Sequence, residues 1–221
     1  MANRAPGGTT RRRRGRAGTM AAPPAPVLPL AGALRVVRDD LIALDVKYAL
    51  VGGLAVSARA EPRLTRDVDL AVAVETDALA EQLLRALLAR GYRMTATIEQ
   101  VGTGRLATAR LTPREHSRLV VDLLFATCGI EHEIVDRAED LEILPGLIVP
   151  VARSSDLIAM KVLARDDRQR PQDLDDIRAL IAVMSPAEGR RVPAALKLIA
   201  KRGYGRGRDL LALWRDAAGL P

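Results

Sequence analysis

The chain has 221 residues, 48% of them hydrophobic, so it can bury one sizeable core, and its composition is that of a globular protein. Its formal charge of +7 and its pI near 10.3 favour a polyanionic partner such as nucleic acid or nucleotide. The single cysteine excludes an internal disulfide and a cysteine-based zinc site, and no apolar run approaches the roughly 18–20 residues of a membrane span. We therefore expect a cytoplasmic protein that does not act at a membrane.

Much of the basic excess lies in the first 20 residues. Arg4, Arg11–Arg14 and Arg16 precede residue 20, and the rest of the chain is close to neutral. The following segment, MAAPPAPVLPLAGA, contains four prolines and has no signal-peptide pattern. We interpret residues 1–30 as a disordered, basic and proline-rich tail; the alternative is that translation starts at Met20.

The predicted elements of the first half alternate between helix and strand. In chain order they are a helix over 34–44, a buried strand in KYALVGG, a short helix over 54–60, a strand over 67–74, a helix from 77 to 90 capped by Thr76, a hairpin of MTATIEQV and RLATARLT, and a strand in LVVDLLFA. Helical patterns dominate the second half, over 155–164, 174–184, 194–201 and 209–217. We therefore predict an α/β domain over 31–152 and a helical C-terminal region over 153–221.

Three carboxylates interrupt apolar strands. Asp67 and Asp69 alternate with Val68 in DVDL, so both acids point to one side of the strand. Asp122 lies inside VVDLLF, and if the two strands are neighbours in one sheet, all three carboxylates meet. Such a cluster repels itself unless it takes up protons or a cation, and ligands that are all oxygen suit Mg²⁺ or Mn²⁺. A solvated strand edge is the structural alternative for the Asp-x-Asp pattern.

The glycine pair Gly52–Gly53 fits the chemistry of a magnesium site. It closes a strand and leads into a short helix, where bare N–H groups and the positive helix end can approach phosphate oxygens. Magnesium prefers to share its ligand sphere with substrate phosphates, which favours phosphoryl or nucleotidyl transfer. Alone, each pattern is common in turns and caps, but together they indicate a nucleotide site.

The segment GGLAVSARAEPRLTRDVDL resembles the signature of the DNA polymerase β-like nucleotidyltransferases. More narrowly it is similar to the group of AbiEii-type toxins of type IV toxin–antitoxin systems. The resemblance implies a mixed twisted sheet, contacts of Gly52 and Gly53 with a nucleoside triphosphate, and metal binding by Asp67 and Asp69. It also implies that Asp122 completes the metal site and helps to activate the acceptor hydroxyl.

Arg63 and Thr65 match the R-x-T of the same motif. They either brace the turn, as a salt bridge and a strand cap, or contact the nucleotide. The family often has His-Gly where this chain has Arg59 and Ala60, so the role of that histidine is not carried over.

The resemblance extends to SSDLIAMKVLARDDRQRPQDLDDIRALI, which is similar to the D-x4-K and R-P-x-D-x-x-D elements of the group. We favour a structural role for Asp156 in the first turn of a helix. For Lys161 we favour phosphate binding over a solvated surface position. Asp173 and Asp176 share one helical face, and we favour a solvated salt-bridge face over orientation of Lys161 or of the nucleotide.

The segment KRGYGRGRDL combines arginines and glycines and could grip an RNA backbone, although a flexible basic loop is the interpretation that we favour. Aromatic residues make up only 2% of the chain. Acceptor recognition would therefore depend on arginines and shape rather than on an extended stacking platform.

These patterns predict an enzyme that moves a nucleoside monophosphate from a nucleoside triphosphate to an acceptor hydroxyl, with Asp67, Asp69, Asp122 and Lys161 as catalytic residues. By resemblance the acceptor is RNA, for instance tRNA, and an antitoxin protein is a further partner. One alternative is adenylylation of a small molecule, as in antibiotic-modifying relatives of the fold. The other is a module that binds nucleotide or RNA without catalysis.

Overall fold

Seven strands between residues 48 and 151 form one mixed sheet. In the computed structural model, residues 27–114 and 119–220 are described. The strands are β1 (Tyr48–Val51), β2 (Asp67–Val72), β3 (Arg93–Glu99), β4 (Leu106–Thr112), β5 (Val120–Leu124), β6 (Glu139–Leu144) and β7 (Leu147–Val151). Their order across the sheet is β3-β4-β5-β2-β1-β7-β6. The predicted mixed α/β sheet is confirmed.

The helices surround this sheet and make up the C-terminal region. They are α1 (Val27–Ala43), α2 (Gly52–Arg59), α3 (Asp77–Ala89), α4 (Glu131–Asp136), α5 (Ser154–Ala164), α6 (Gln172–Val183), α7 (Pro186–Gly189), α8 (Val192–Lys201) and α9 (Leu210–Ala218). The four C-terminal helices predicted from the sequence correspond to α5, α6, α8 and α9. The predicted tail lies largely outside the described residues.

The first helix begins earlier than its apolar pattern predicts. It starts at Val27 rather than residue 34, so residues 27–30 of the predicted tail belong to α1. Pro29 does not prevent this, because the N–H groups of the first helical turn have no partner within the helix. Leu30, Leu34 and Leu41 are buried, and α1 packs across β2 and β7.

The centre of the sheet brings the predicted site strands together. Strand β2 lies between β1, which is antiparallel to it, and β5, which is parallel. All four residues of β1 are buried, as is typical of a central strand. Helix α2 follows β1 directly, and the carboxylates of β2 therefore lie beside its N-terminus.

Strands β6 and β7 were not assigned from the sequence. Strand β6 is largely exposed and carries three acidic residues, and Pro150 interrupts the apolar pattern of β7. Proline is rare within sheets and charged residues weaken a strand pattern, so neither segment stands out. The hairpin extends the sheet at the side of β1 that faces away from β2.

One apolar cluster joins the sheet to the C-terminal helices. It includes Leu50 and Leu123 of the sheet together with Leu157, Ile177 and Leu196 of the helices. Helix α5 packs against α6, α8 and α9, and α2 packs against α5 and α6. The helical region therefore packs against the helix that carries the glycine pair. Within the described residues, the helices include none with the length and apolar character needed to cross a membrane.

Candidate active site

Asp67 and Asp69 face a cleft at the centre of the sheet. Val68 and Leu70 of the same strand are fully buried, as strand alternation predicts, while the two aspartates are half-buried. The cleft has a volume of about 1100 Å³ and lies between the sheet, α2 and α5. All eight residues predicted to form the site line it: Gly52, Gly53, Arg63, Thr65, Asp67, Asp69, Asp122 and Lys161.

Asp122 lies beside Asp67 and Asp69, but it forms an ion pair with Arg110. In the parallel register of β2 and β5, Asp122 is directly opposite Asp69. Arg110 of β4 is opposite Asp122 on the other side and donates from Nε to Oδ1 at 2.9 Å and from Nη2 to Oδ2 at 2.7 Å. This bidentate ion pair was not foreseen from the sequence, because it depends on the register between β4 and β5.

The carboxylates of β2 carry charge that no described side chain balances directly. Neither Asp67 nor Asp69 forms a hydrogen bond or ion pair with another side chain in the ranges 27–114 and 119–220. Burial, followed by the nearby Asp122 and Asp67 carboxylates, raises the pKa of Asp69 from 3.8 to about 6, although Lys161 and Arg110 oppose this shift. The site is therefore an oxygen-rich anionic pair that favours a cation.

The carboxylate oxygens of the cleft are the type of donor that Mg²⁺ and Mn²⁺ prefer. Asp67 and Asp69 offer unpaired carboxylate oxygens on one face of a strand, which fits a hard divalent ion that keeps several waters. In the described part of the chain, no three Asp, Glu, His or Cys side chains are arranged as a complete metal site. Asp122 would join such a site only by sharing oxygens that Arg110 now holds.

Gly52 fixes the position of Asp69. It has a φ of +66°, and a Cβ atom there would lie 1.9 Å from Asp69 Oδ2. A side chain at residue 52 would therefore occupy the space of the carboxylate. Gly52 begins α2, and its N-cap residue Val51 supplies no side-chain acceptor. The N–H groups of the first turn are therefore not capped by a side chain, and Gly52 and Gly53 line the cleft beside the acidic pair.

Gly53 makes room for the R-x-T motif. A Cβ atom at Gly53 would lie 2.6 Å from Arg63 Nη2 and 3.0 Å from Thr65 Oγ1. Ser57 braces the same turn, because its hydroxyl donates to the Gly53 carbonyl at 3.1 Å and accepts from the Arg63 N–H at 3.2 Å. Arg63 is thus held against the helix start.

Lys161 lies in a buried ionic network at the side of the cleft. Its Nζ is 2.8 Å from Asp173 Oδ1 and 2.8 Å from Asp176 Oδ2. Arg63 Nε is 2.7 Å from Asp176 Oδ1, and Arg170 Nε is 3.0 Å from Asp173 Oδ2. Three cations therefore surround two carboxylates, and the network keeps a positive excess beside the anionic pair of β2.

The solvated salt-bridge face predicted for α6 is wrong. Asp173 and Asp176 are 0% and 2% exposed, and their partner Lys161 comes from α5. The helical spacing identified the shared face correctly, but α5 covers that face and removes it from water. Both aspartates instead contact Lys161, in agreement with the alternative interpretation that they orient this side chain.

Arg59 and Asp156 have structural partners outside the cleft. Arg59 donates to the Ala152 and Val151 carbonyls, each at 2.9 Å, and to Glu139. It therefore ties the C-terminus of α2 to the end of β7. Asp156 is buried and pairs with Arg137 at 2.9 Å, which agrees with the structural role favoured from the sequence.

Gly52→Ala is expected to destabilise the protein more than Gly146→Ala. Gly146 has a similar φ of +72°, but a Cβ atom there meets nothing within 4 Å, so this variant measures backbone strain alone, about 1 kcal/mol. Gly52→Ala must also displace the Asp69 carboxylate, and we expect at least about 1 kcal/mol more. Urea unfolding followed by the fluorescence of Trp214, the single tryptophan, measures both. Equal losses would contradict the packing of Gly52 against Asp69.

Asp176→Asn is expected to lower the free energy of unfolding by about 2 kcal/mol or more. It removes a buried charge that Lys161 and Arg63 share, and breaking such a pair leaves uncompensated cations. Asp175→Asn is the matched control, because its side chain is exposed on the same helix, and it should change stability by less than about 0.5 kcal/mol. Indistinguishable urea midpoints for the two variants would contradict the buried network.

Asp69→Asn is expected to stabilise the metal-free protein at neutral and higher pH. The folded-state pKa of Asp69 is raised to about 6, so ionisation of its carboxylate weakens the fold as pH rises from about 4 through 6. The amide removes this cost, and the gain should be on the order of 2 kcal/mol at pH 8 and should vanish near pH 4. Urea unfolding in EDTA across this pH range tests it, with Asp175→Asn as control. A gain that does not change with pH would contradict the explanation.

The sequence and structure were compared with known proteins. The family model described as "Nucleotidyl transferase AbiEii toxin, Type IV TA system" matches residues 35–217. None of the curated proteins matches the chain.

Solved structures with the same fold include an antigenic nucleotidyltransferase-like protein from Paracoccidioides brasiliensis, with 21% identity and a TM-score of 0.52 over 85% of this chain and 92% of that one. They also include ANT(2")-Ia in complex with adenylyl-2"-tobramycin, with 15% identity and a TM-score of 0.51 over 78% of this chain and 98% of that one. These structures share the nucleotidyltransferase fold predicted from the sequence. Since the family model covers most of the sequence, the chain belongs to the AbiEii nucleotidyltransferase family.

Proposed function

We propose that this protein is a metal-dependent nucleotidyltransferase that moves a nucleoside monophosphate from a nucleoside triphosphate to an acceptor hydroxyl. The observation that carries the proposal is the pair of unpaired carboxylates, Asp67 and Asp69, next to the uncapped N-terminus of α2. Negative oxygens and free N–H groups in one cleft match a triphosphate that binds together with a divalent cation.

The triphosphate would lie over Gly52 and Gly53. The N–H groups there and the positive end of α2 attract phosphate oxygens. Lys161 would bind the same anion, since an ammonium has three donors and only two point to Asp173 and Asp176. Those two carboxylates hold the ammonium in place, so its binding to phosphate would cost little side-chain entropy.

The acceptor hydroxyl would approach from the side of Asp122. Its oxygen loses its proton to solvent and forms a bond to the α-phosphorus, while the bond from that phosphorus to the bridging oxygen breaks and pyrophosphate leaves with the electron pair. Asp122 would orient the hydroxyl, because a carboxylate has about four lone-pair sites and Arg110 uses two of them. Mg²⁺ or Mn²⁺ held by Asp67 and Asp69 would neutralise the charge that develops on the phosphate.

We propose RNA, for instance tRNA, as the acceptor, and a separately encoded antitoxin as a protein partner. The antitoxin proposal rests on membership of a family described by its type IV toxin–antitoxin system. The RNA proposal rests on the basic charge of the chain and on its resemblance to the toxins of that family. Transfer to a small molecule is the second candidate, because ANT(2")-Ia, which has the same fold, was solved with an adenylylated aminoglycoside. Binding of nucleotide or RNA without turnover is the third. A cytoplasmic location stays a prediction.

Labelled transfer from α-³²P nucleoside triphosphates to total RNA, with Mg²⁺ or Mn²⁺ present, is the expected activity of the full chain. Replacement of both Asp67 and Asp69 by alanine should reduce labelling by more than about 100-fold, because the site loses its metal ligands. The control variant carries Asp140→Ala and Asp175→Ala, which remove two exposed carboxylates outside the cleft and should leave labelling unchanged.

Equal labelling by the wild type and by the variant lacking Asp67 and Asp69 would refute the proposal. Labelling of tobramycin in place of RNA would favour the small-molecule alternative. Tight triphosphate binding, without labelling of RNA or of a panel of hydroxyl-bearing small molecules, would favour the module that binds without catalysis.

A further inference from the structure

The loop of residues 203–208, between α8 and α9, is anchored at both ends. Tyr204 is buried, and its ring fills the space that a Cβ atom at Gly129 would need, 2.4 Å from Tyr204 Cδ2. Arg202 donates to Glu133 at 2.9 Å, and Arg208 donates to the Leu163 carbonyl at 3.2 Å. The basic glycine-rich segment, interpreted from the sequence as a flexible loop, therefore has fixed attachments.

Arg206 is the residue that this loop presents to the cleft. It lies between Gly205 and Gly207, lines the cleft, and has a φ of +55°. A non-glycine residue in the left-handed region costs about 1–2 kcal/mol, and such strain concentrates at functional positions. Nothing in the packing of the loop requires an arginine here, since the side chain is exposed.

Arg206 differs from the other cations of the cleft. Arg63, Arg110, Lys161 and Arg170 each form an ion pair with a carboxylate. The guanidinium of Arg206 makes no hydrogen bond or ion pair with any residue in 27–114 or 119–220. It is therefore available to an external anion.

The strand order, together with the position of the 203–208 loop near the β3–β4 turn, places Arg206 on the acceptor side. The glycine pair begins α2 after β1, whereas Asp122 is on β5, beyond β2. The β3–β4 turn lies farther out in the same direction and touches the 203–208 loop, because a Cβ atom at Gly102 would be 3.6 Å from the Gly203 carbonyl oxygen. Arg206 and this turn thus form the wall of the cleft beyond Asp122.

The same wall carries exposed apolar side chains. Ile98 is 58% exposed and Val101 is fully exposed, and both line the cleft. Exposed aliphatic side chains and an unpaired guanidinium in one cleft can cover the apolar face of a base and bind a phosphate, and the end of a single RNA strand offers both groups. A polycationic aminoglycoside would need a surplus of carboxylates, and Glu99 is the one acidic residue of this wall among those described.

We infer that Arg206 binds a backbone phosphate of a single-stranded RNA acceptor whose terminal base packs on Ile98 and Val101. The inference rests on the proposed function and adds the residue that selects an anionic acceptor. Arg206 would make the site reject polycations and align the terminal hydroxyl with Asp122. It would have no part in binding the triphosphate.

Replacement of Arg206 by asparagine tests this role without straining the loop, because asparagine tolerates the left-handed region. The control is Lys201→Gln, which removes an exposed cation outside the cleft five residues earlier. Fluorescence anisotropy with a labelled single-stranded RNA and the full chain should show roughly fivefold weaker binding for Arg206→Asn at about 0.1 M salt. The plot of log K against log salt concentration should also become less steep by about one unit, because one phosphate contact is lost. Triphosphate affinity should not change.

A photo-crosslinking measurement separates RNA bound at this site from RNA bound at the arginines of residues 1–16, which every variant retains. The RNA carries 4-thiouridine as its 3′-terminal nucleotide, and the crosslinked peptide is identified by mass spectrometry. We expect a crosslink in residues 98–102 for the wild type and Lys201→Gln, and a clearly weaker one in Arg206→Asn at an RNA concentration below the Kd of the wild type. A crosslink that is absent from this segment, or that Arg206→Asn does not change, would overturn the inference.

The remaining outcomes distinguish the inference from the proposed function. Binding that depends on Arg206, without any labelling of RNA, would retain the acceptor site and refute the transfer reaction. Labelling of RNA with the same KM for RNA in Arg206→Asn and the wild type would retain the reaction and refute the site. Weaker triphosphate binding in Arg206→Asn, with unchanged RNA binding, would assign Arg206 to the nucleotide and overturn the inference. Tighter tobramycin binding by Arg206→Asn, together with unchanged RNA binding, would also overturn it.

Discussion

Electrostatic repulsion at the centre of the sheet is the constraint on which the site depends. Asp69 and Asp122 are in register on adjacent strands, and Asp67 lies two residues from Asp69 on the same face. Burial of this much negative charge costs free energy unless cations balance it. Arg110 forms an ion pair with Asp122, whereas no described side chain forms one with Asp67 or Asp69. The unbalanced pair makes the cleft strongly anionic, and burial of the Asp69 charge lowers the stability of the fold at neutral pH.

The helical side of the cleft carries an excess of positive charge. Asp173 and Asp176 are buried and hold Lys161, Arg63 and Arg170, so three cations share two carboxylates. The surplus of one positive charge faces the surplus of negative charge on β2 across the cleft. In the proposed function, a triphosphate bound with its metal ion would balance both charges, because its phosphates would lie near the cations and its metal ion near the acids.

Local sequence patterns predicted the acidic strand. They could not predict which residues pair across strands or which helical faces are buried, because strand register and helix packing determine both. Asp67 and Asp69 were placed correctly because strand alternation fixes which side chains share a face. The partnership of Arg110 with Asp122 depends on the pairing of β4 with β5, which no local pattern specifies. Asp173 and Asp176 were placed on one helical face, but only the packing of α5 determines that this face is buried. Arg206 was missed as a cleft residue because Tyr204 and Gly129, which fix its loop, are distant in sequence.

The ionic network around Lys161 also determines which parts of the chain depend on one another. Arg63 belongs to the turn before β2, Lys161 to α5 and Asp176 to α6, so the network ties the acidic strand to helices that follow it by about a hundred residues. A fragment that ended after β7 would leave Arg63 without its carboxylate and expose the apolar side of α2. The sheet and the helices therefore share one apolar core and one ionic network, and we expect them to unfold together.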